Sequence, residues 1–337
     1  MNKPIISTWG LGPSYRDRVK HNLLKSLETG YDNTMDYIIL TDVPEDFDEL
    51  RSKTNKIIDV INIHEVRDQY PYSKKIEYIP LDQENYGKEY RDLMNVGKDF
   101  SYALHRFSLP RIAELGYTKF IFQDPDVDIR YDKIISGEIT EELFWEQFNT
   151  PENSMKGCHK EHVGIDPGYE FKIASALGHS SESALQLSSI LTYELSKKYP
   201  TNKSPIIIKL DITEGPFRYY NFSSVDKLKT YFNVWNDAMN LSFSNDIFKN
   251  CNGCGGYMIC DYIPVGVSNY INDITVLNFD PQFYKVNIYF TDRYFSPINY
   301  NFADGTNFIP SDTLEEFYSK NIEQIKTLKQ QNRWPIF

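Results

Sequence analysis

Three aspartates alternate in the run Gln123-Asp124-Pro125-Asp126-Val127-Asp128, directly after the apolar stretch Lys119-Phe120-Ile121-Phe122. Carboxylates are hard oxygen ligands. Two or three at a spacing of two suit Mg²⁺ or Mn²⁺, above all an ion that carries a substrate's phosphates. Asp and Pro are also ordinary turn residues after a strand, so a solvated turn is the competing reading. Placement favours the metal: acids at the carboxyl end of a buried strand stand where open α/β sheets bind their ligands. The candidate metal ligands are Asp124, Asp126 and Asp128, with either Asp124/Asp126 or Asp126/Asp128 as the working pair.

The elements that must position these acids follow from pattern. Lys119 to Phe122 is short, β-rich and apolar, the signature of a central strand covered on both faces. Before it, Pro4–Thr8 reads as a first strand and 9–14 as a loop. Tyr15–Leu27 is a helix rich in Lys and Arg, Met35–Leu40 a second strand that ends at Asp42, and Lys56–Ile63 a third strand. A helix from Gly97 to Leu115 carries Phe100, Leu104, Phe107, Leu109 and Ile112 on its apolar positions and feeds the strand before Asp124. This alternation of strands and helices predicts an α/β fold with a parallel sheet. Gly10-Leu11-Gly12 lacks the third glycine of a dinucleotide fingerprint and has Tyr15 beyond it, which argues against NAD.

Beyond Asp132 the pattern loosens. Thr140–Phe148 is a short helix, 151–168 a loop, Ser181–Tyr199 a helix with Lys197 and Lys198 in its last turn. Ser204–Asp211 is a buried strand and Val225–Leu241 a long helix. The tail from Val286 is aromatic and strand-like, then helical over Thr313–Gln331. No repeat, low-complexity segment or clear linker divides the chain.

The chain has 337 residues, 41% hydrophobic and 25% charged, which is enough to bury a sizeable core. It contains no apolar run of membrane-spanning length, and Met1 to Ser7 is no secretory leader. Four cysteines in such a length make no disulfide framework, so the expected location is cytoplasmic, that of a host if the chain is viral. A formal charge of −11 argues against a broad electrostatic grip on nucleic acid.

The residues in the first 135 positions resemble nucleotide-sugar-dependent glycosyltransferases of the GT-A fold, the Asp-x-Asp type. Three stretches carry the likeness: Tyr37-Ile38-Ile39-Leu40-Thr41-Asp42, the helix with Leu104-His105-Arg106-Phe107 and Leu109-Pro110-Arg111, and Lys119 through Asp126. The resemblance implies a single-sheet Rossmann-type α/β/α sandwich with an appended C-terminal α+β part. Residues 1–135 would bind the donor, and 136–337 would form the acceptor half and a C-terminal extension within one continuous domain. It further implies that Asp124 and Asp126 bind the donor and its Mn²⁺ or Mg²⁺, that Thr8 and Trp9 lie near the nucleotide base, that Asp42 belongs to the donor site, and that Arg106 or Arg111 approaches the donor sugar or phosphates. An ion pair is the equal alternative for either arginine. The implied acceptor is a hydroxyl of a glycan, a lipid-linked sugar or a protein. A modified base in phage DNA, nucleotidyl transfer and non-catalytic sugar binding are the alternatives.

An inverting transfer also needs a general base on the acceptor hydroxyl. Asp211 and Glu214 follow the expected strand Ile206 to Leu210, with Glu214 preferred because Gly215-Pro216 sets a turn behind it; Asp237 is the next candidate. Tyr219 and Tyr220 read as strand core sooner than as sugar-stacking rings. Cys251-x-x-Cys254, with Cys158, His159 and His162, has ligand types for a structural zinc, with His179 as a further candidate. A glycine-rich loop is the alternative reading of 250–257.

Overall fold

A computed structural model of the chain describes residues 3–11, 13–30, 34–66, 100–125, 127–157, 181–201, 217–244, 263–286, 322, 323 and 326. In chain order the elements are β1 (Ile5–Gly10), α1 (Pro13–Glu28), β2 (Asp36–Thr41), α2 (Asp48–Lys53), β3 (Ile57–Asn62), α3 (Ile63–Val66), α4 (Phe100–Glu114), β4 (Lys119–Gln123) and β5 (Val127–Ile129). They continue as α5 (Tyr131–Ile135), α6 (Glu141–Glu146), β6 (Ser154–Gly157), α7 (Ser181–Lys198), β7 (Phe217–Asn221), α8 (Val225–Ser244), α9 (Ile263–Ile271), β8 (Thr275–Asn278) and β9 (Tyr284–Val286).

Seven strands form one sheet in the order β3-β2-β1-β4-β7-β6-β8, and β5 pairs with β9 in a two-stranded ribbon. β3, β2, β1 and β4 are parallel. β7 runs against both β4 and β6, and β8 is parallel to β6. The expected α/β class is therefore present, a mostly parallel sheet with helices on both faces. Strands from both halves of the chain share it. β1 passes through α1 to β2 and on to β3 on one side, whereas β4 returns along the other side of β1. Strand order reverses at the β1/β4 pair, and in open α/β sheets the crevice at such a switch is the ligand-binding position.

Alternation along the strands separates two cores. Ile5, Trp9, Leu40, Phe120, Phe122 and Tyr220 face α4 and α8, where they meet Phe107, Ile112, Tyr231 and Trp235. Ile6, Ile39, Ile121 and Tyr219 face the opposite way, towards Val19 and Leu23 of α1 and Phe144 of α6. α1 can cover that face because Val19 and Leu23, four residues apart, lie on one side of the helix, while Tyr15 one turn earlier reaches the opposite core beside Trp9. α8 is apolar on two sides: Leu228, Tyr231, Trp235 and Met239 meet the sheet, while Val234 and Ala238 pack on Leu191 and Leu195 of α7 and Val267 of α9. Ser7 and Ser108 share a hydroxyl hydrogen bond of 2.7 Å that ties α4 to β1. The Thr140 hydroxyl accepts from the Leu143 amide at 3.2 Å, an N-cap that starts α6 near its expected position.

Two stretches expected as loops are built differently. Of 9–14, Trp9 and Gly10 continue β1 and α1 begins at Pro13. Proline suits a first helical position because an N–H there has no intrahelical partner. Gly10 is needed for contact: a Cβ there would lie 3.1 Å from Arg16 Cα, so α1 could not approach β1 as closely. Of 151–168, Ser154–Gly157 is β6, whose four residues are too few to show a period but are paired on both sides, with β7 and β8. The expected strand 204–211 lies outside the described residues. So does the expected helix 313–331, apart from 322, 323 and 326, which are helical. Among the described residues no helix is long and apolar enough to cross a membrane.

Phe120 is fully buried in the central strand and stacks on Tyr220 at 5.0 Å between ring centroids. Phe120→Ala is expected to destabilise the fold by about 3–5 kcal/mol. Urea unfolding would show this as a lower midpoint at unchanged slope. A midpoint equal to that of the wild type would contradict the central placement of β4.

Candidate functional site

The acidic run begins where β4 ends. The Val127 amide donates to the Asp124 carbonyl at 3.1 Å, which closes a turn over Pro125 before the chain returns as β5. Side chains from beneath hold that turn. Arg18 Nε donates to the Pro125 carbonyl at 3.3 Å, Asn22 Nδ2 to the carbonyls of Pro125 (3.4 Å) and Val127 (3.3 Å), and Gln123 Nε2 to Val127 O at 2.7 Å. Arg18 and Asn22 lie four residues apart on α1, one above the other on the same helix face. The expected Lys- and Arg-rich helix thus fixes the turn's backbone.

Asp124 points to the α4/α8 side and is fully buried. Its Oδ1 accepts from the indole Nε1 of Trp9 at 2.6 Å. The register explains the contact. Thr8 pairs with Gln123 in the last rung between β1 and β4, so the next residues, Trp9 and Asp124, stand side by side on the other face. Trp9 is itself 2% exposed and its ring lies 4.8 Å from that of Tyr15. Thr8, also buried, belongs to the α1 face. The structure therefore brings Trp9 and Asp124 together at the switch point and turns Thr8 away from them.

Two arginines enter the same aromatic layer. Arg106 of α4 is fully buried, hydrogen-bonds through Nη2 to Asn236 Oδ1, and has its guanidinium 5.7 Å from the centre of the Trp235 ring. Arg218 of β7, 1% exposed, stands opposite Phe122 of β4 in register, with its guanidinium 5.6 Å from the centre of that ring. The Phe122 and Trp235 rings are 5.9 Å apart and link the two. Guanidinium over an aromatic face is a favourable contact, stronger when desolvated. Arg218 did not emerge as a candidate from the sequence. Its signal was a single charge inside the otherwise aromatic strand Phe217-Arg218-Tyr219-Tyr220.

The remaining candidates are placed as follows. Asp42, just past β2, binds Arg16 Nη1 at 2.7 Å, and Arg16 Nε reaches Asp46 at 2.6 Å. Burial works against the Arg16 charge, but its bonds to Asp46 and Asp42 outweigh it and raise the pKa. Thr41 Oγ1 donates to Gly10 O at 2.8 Å, which ties the ends of β2 and β1. Asp128, on β5, binds Arg18 Nη2 at 3.1 Å. Arg111 binds Asp59 (2.8 Å) and Glu114 (3.2 Å) near the carboxyl end of α4, beside the start of β4, and so is not brought to Asp124. Asp237 accepts from Lys198 Nζ (2.6 Å) and Tyr199 OH (2.7 Å), where α8 meets the end of α7. Tyr219 and Tyr220 are fully buried strand core. Asp126, Asp211 and Glu214 lie outside the described residues, as do Cys158, His159, His162, His179, Cys251 and Cys254. Among the described residues no group of three or more His, Cys, Asp or Glu side chains is arranged to hold a metal ion.

No protein-family model and no curated protein matches the chain. Among solved structures it is similar to the apo structure of the bifunctional glycosyltransferase WbbM, at 10% identity and a TM-score of 0.35, over 81% of this chain and 38% of that one. The chain thus corresponds to less than two-fifths of that protein's length.

The Trp9–Asp124 bond joins two strand ends 115 positions apart in sequence. Trp9→Phe removes the donor and leaves a buried carboxylate oxygen short of it, a loss of about 1–3 kcal/mol. Combined with Asp124→Ala in a double-mutant cycle, the effects are expected to be non-additive by at least about 0.5 kcal/mol. Strict additivity in chemical denaturation would show that the two side chains are not coupled.

Proposed function

We propose that the chain is a metal-dependent glycosyltransferase that moves a sugar from a nucleotide-diphosphate donor to an acceptor hydroxyl. The observation that carries this reading is the buried carboxylate of Asp124 at the switch point of a mostly parallel sheet, with Trp9 holding one of its oxygens. Asp124 and Asp126 are the proposed ligands of Mn²⁺ or Mg²⁺. The donor set fits such an ion, since carboxylates are the hard oxygen ligands these cations take, and an outer donor that orients a ligating group is a usual companion of a metal site. When bound, the ion neutralises charge that builds on the departing diphosphate.

The chain's own residues perform the other tasks. Arg18, Asn22 and Gln123 hold the backbone of the turn, so that its acids keep their orientation before the donor arrives. Trp9 fixes the rotamer of Asp124. Arg106 and Arg218 add positive charge to the aromatic layer on the same face of the sheet. The acceptor hydroxyl of an inverting reaction loses its proton to a carboxylate; Asp237 is committed to Lys198 and Tyr199, so the role falls to Glu214 or Asp211. The acceptor is a glycan, a lipid-linked sugar or a protein.

Hydrolysis of a panel of UDP-, GDP- and CMP-sugars with and without Mn²⁺ tests the reading. Metal-dependent release of the nucleotide from one donor class is expected, together with a donor-dependent rise in melting temperature. Asp126→Ala is expected to abolish turnover at an unchanged melting temperature. Absence of both turnover and thermal shift across the panel would end the transferase reading, and a large loss of stability in Asp126→Ala would make that residue a structural turn.

A further inference from the structure

A pocket of about 210 Å³ opens behind the acidic turn, on the α1 side of the sheet. Its walls include His21, Asn22 and Lys25 of α1, Asp128 of β5, and Arg130 and Asp132 at the start of α5. The positions on α1 are those of one helix face, since 21, 22 and 25 follow the spacing of three and four that brings side chains together. The volume is below the roughly 300–1,000 Å³ of pockets that take drug-sized ligands, so one small ring fits and a nucleotide does not.

The charges around the pocket come in matched pairs. Arg18 binds Asp128 at 3.1 Å, Lys25 binds Glu28 at 2.8 Å, and Arg130 binds Asp132 at 2.7 Å through a two-nitrogen fork. No sign of charge dominates, which removes the electrostatic reason for an inorganic anion or a metal ion to settle there. What the walls do offer is alternation: carboxylate acceptors at Asp128 and Asp132, and donors at Lys25 and Arg130, groups whose bonding capacity exceeds the one partner of each ion pair. A hydroxyl both donates and accepts, and adjacent hydroxyls on a ring satisfy such a mixed lining where an ion or an apolar ring does not.

From these observations we infer that this pocket binds a single neutral sugar residue, as a second carbohydrate site separate from the Asp124 crevice. It is mechanically joined to that crevice. Asn22 lines the pocket and also donates to the carbonyls of Pro125 and Val127, while Arg18 bridges Asp128 to the Pro125 carbonyl. A sugar hydrogen-bonded to Asp128 and packed against Asn22 therefore touches the same side chains that hold the turn. The sugar class follows from the lining of the pocket alone; that the bound residue belongs to the acceptor glycan rests on the transferase reading above.

Saturation-transfer difference NMR with free glucose, galactose, mannose and N-acetylglucosamine tests the inference on the full chain. Transfer to the ring protons of at least one sugar is expected. Asp132→Asn and Lys25→Ala, both at solvent-accessible positions, are expected to weaken binding about tenfold, the loss of one hydrogen bond to a charged group. Both variants should keep the wild-type melting temperature. No transfer from any of the four sugars, transfer that both variants leave unchanged, or displacement of the sugar by inorganic phosphate would overturn the proposal. Sugar binding at this pocket without turnover of any nucleotide-sugar would sink the transferase reading and leave this site standing; turnover without binding would do the reverse.

Discussion

A carboxylate withdrawn completely from water is among the costlier groups a fold can bury, and Asp124 is such a group. It is tolerable only where donors are already in place, and the indole N–H of Trp9 is one of them. That donor comes from a strand 115 positions away, so the site depends on β1 and β4 lying side by side in one exact register. A slip of one residue would turn Trp9 to the α1 face and Asp124 away from it. Both cores specify the register, because the same slip would exchange the side chains of the α4/α8 layer with those of the α1 layer. Packing over the whole sheet thereby holds one hydrogen bond at the carboxyl ends of two central strands.

The surroundings of that bond are rigid for separable reasons. On the α4/α8 side, Phe120, Phe122, Tyr220, Tyr231 and Trp235 form a connected set of ring contacts, and Arg106 and Arg218 lie against its faces. On the α1 side, polar side chains do the holding at the turn: Arg18, Asn22 and Gln123 donate to its carbonyls. One face supplies shape and the other supplies backbone hydrogen bonds. Asp124 and its turn sit between them, prearranged in the way that electrostatic catalysis requires.

Much of this frame was legible in the residues. β2 and β4 stand out as short apolar runs, α1 as a helix rich in Lys and Arg, and α4 as a helix with Phe107, Leu109 and Ile112 on its apolar positions, because burial imposes periods that a sequence displays directly. The failures have equally local causes. Gly10 and Pro13 are punctuation in a sequence, yet one marks close packing and the other a helix start, so the expected loop of 9–14 shrank to its middle. β6 is four residues long, too short to carry a period, and is a strand only because β7 and β8 flank it. Arg218 was not singled out, because only its register opposite Phe122 places it in the core.

The sequence by itself determined the chemistry available: a run of alternating carboxylates behind a buried strand, a basic first helix, an acid after the second strand, and an α/β order of elements. These are local properties, written in residue type and spacing. Which of those groups would meet was decided only in three dimensions. Trp9 met Asp124 and the first helix met the turn, while Arg111 went to Asp59 and Asp237 to Lys198 and Tyr199. Such pairings depend on strand order and register, which arise from the packing of both faces at once, and no stretch of a single chain records them.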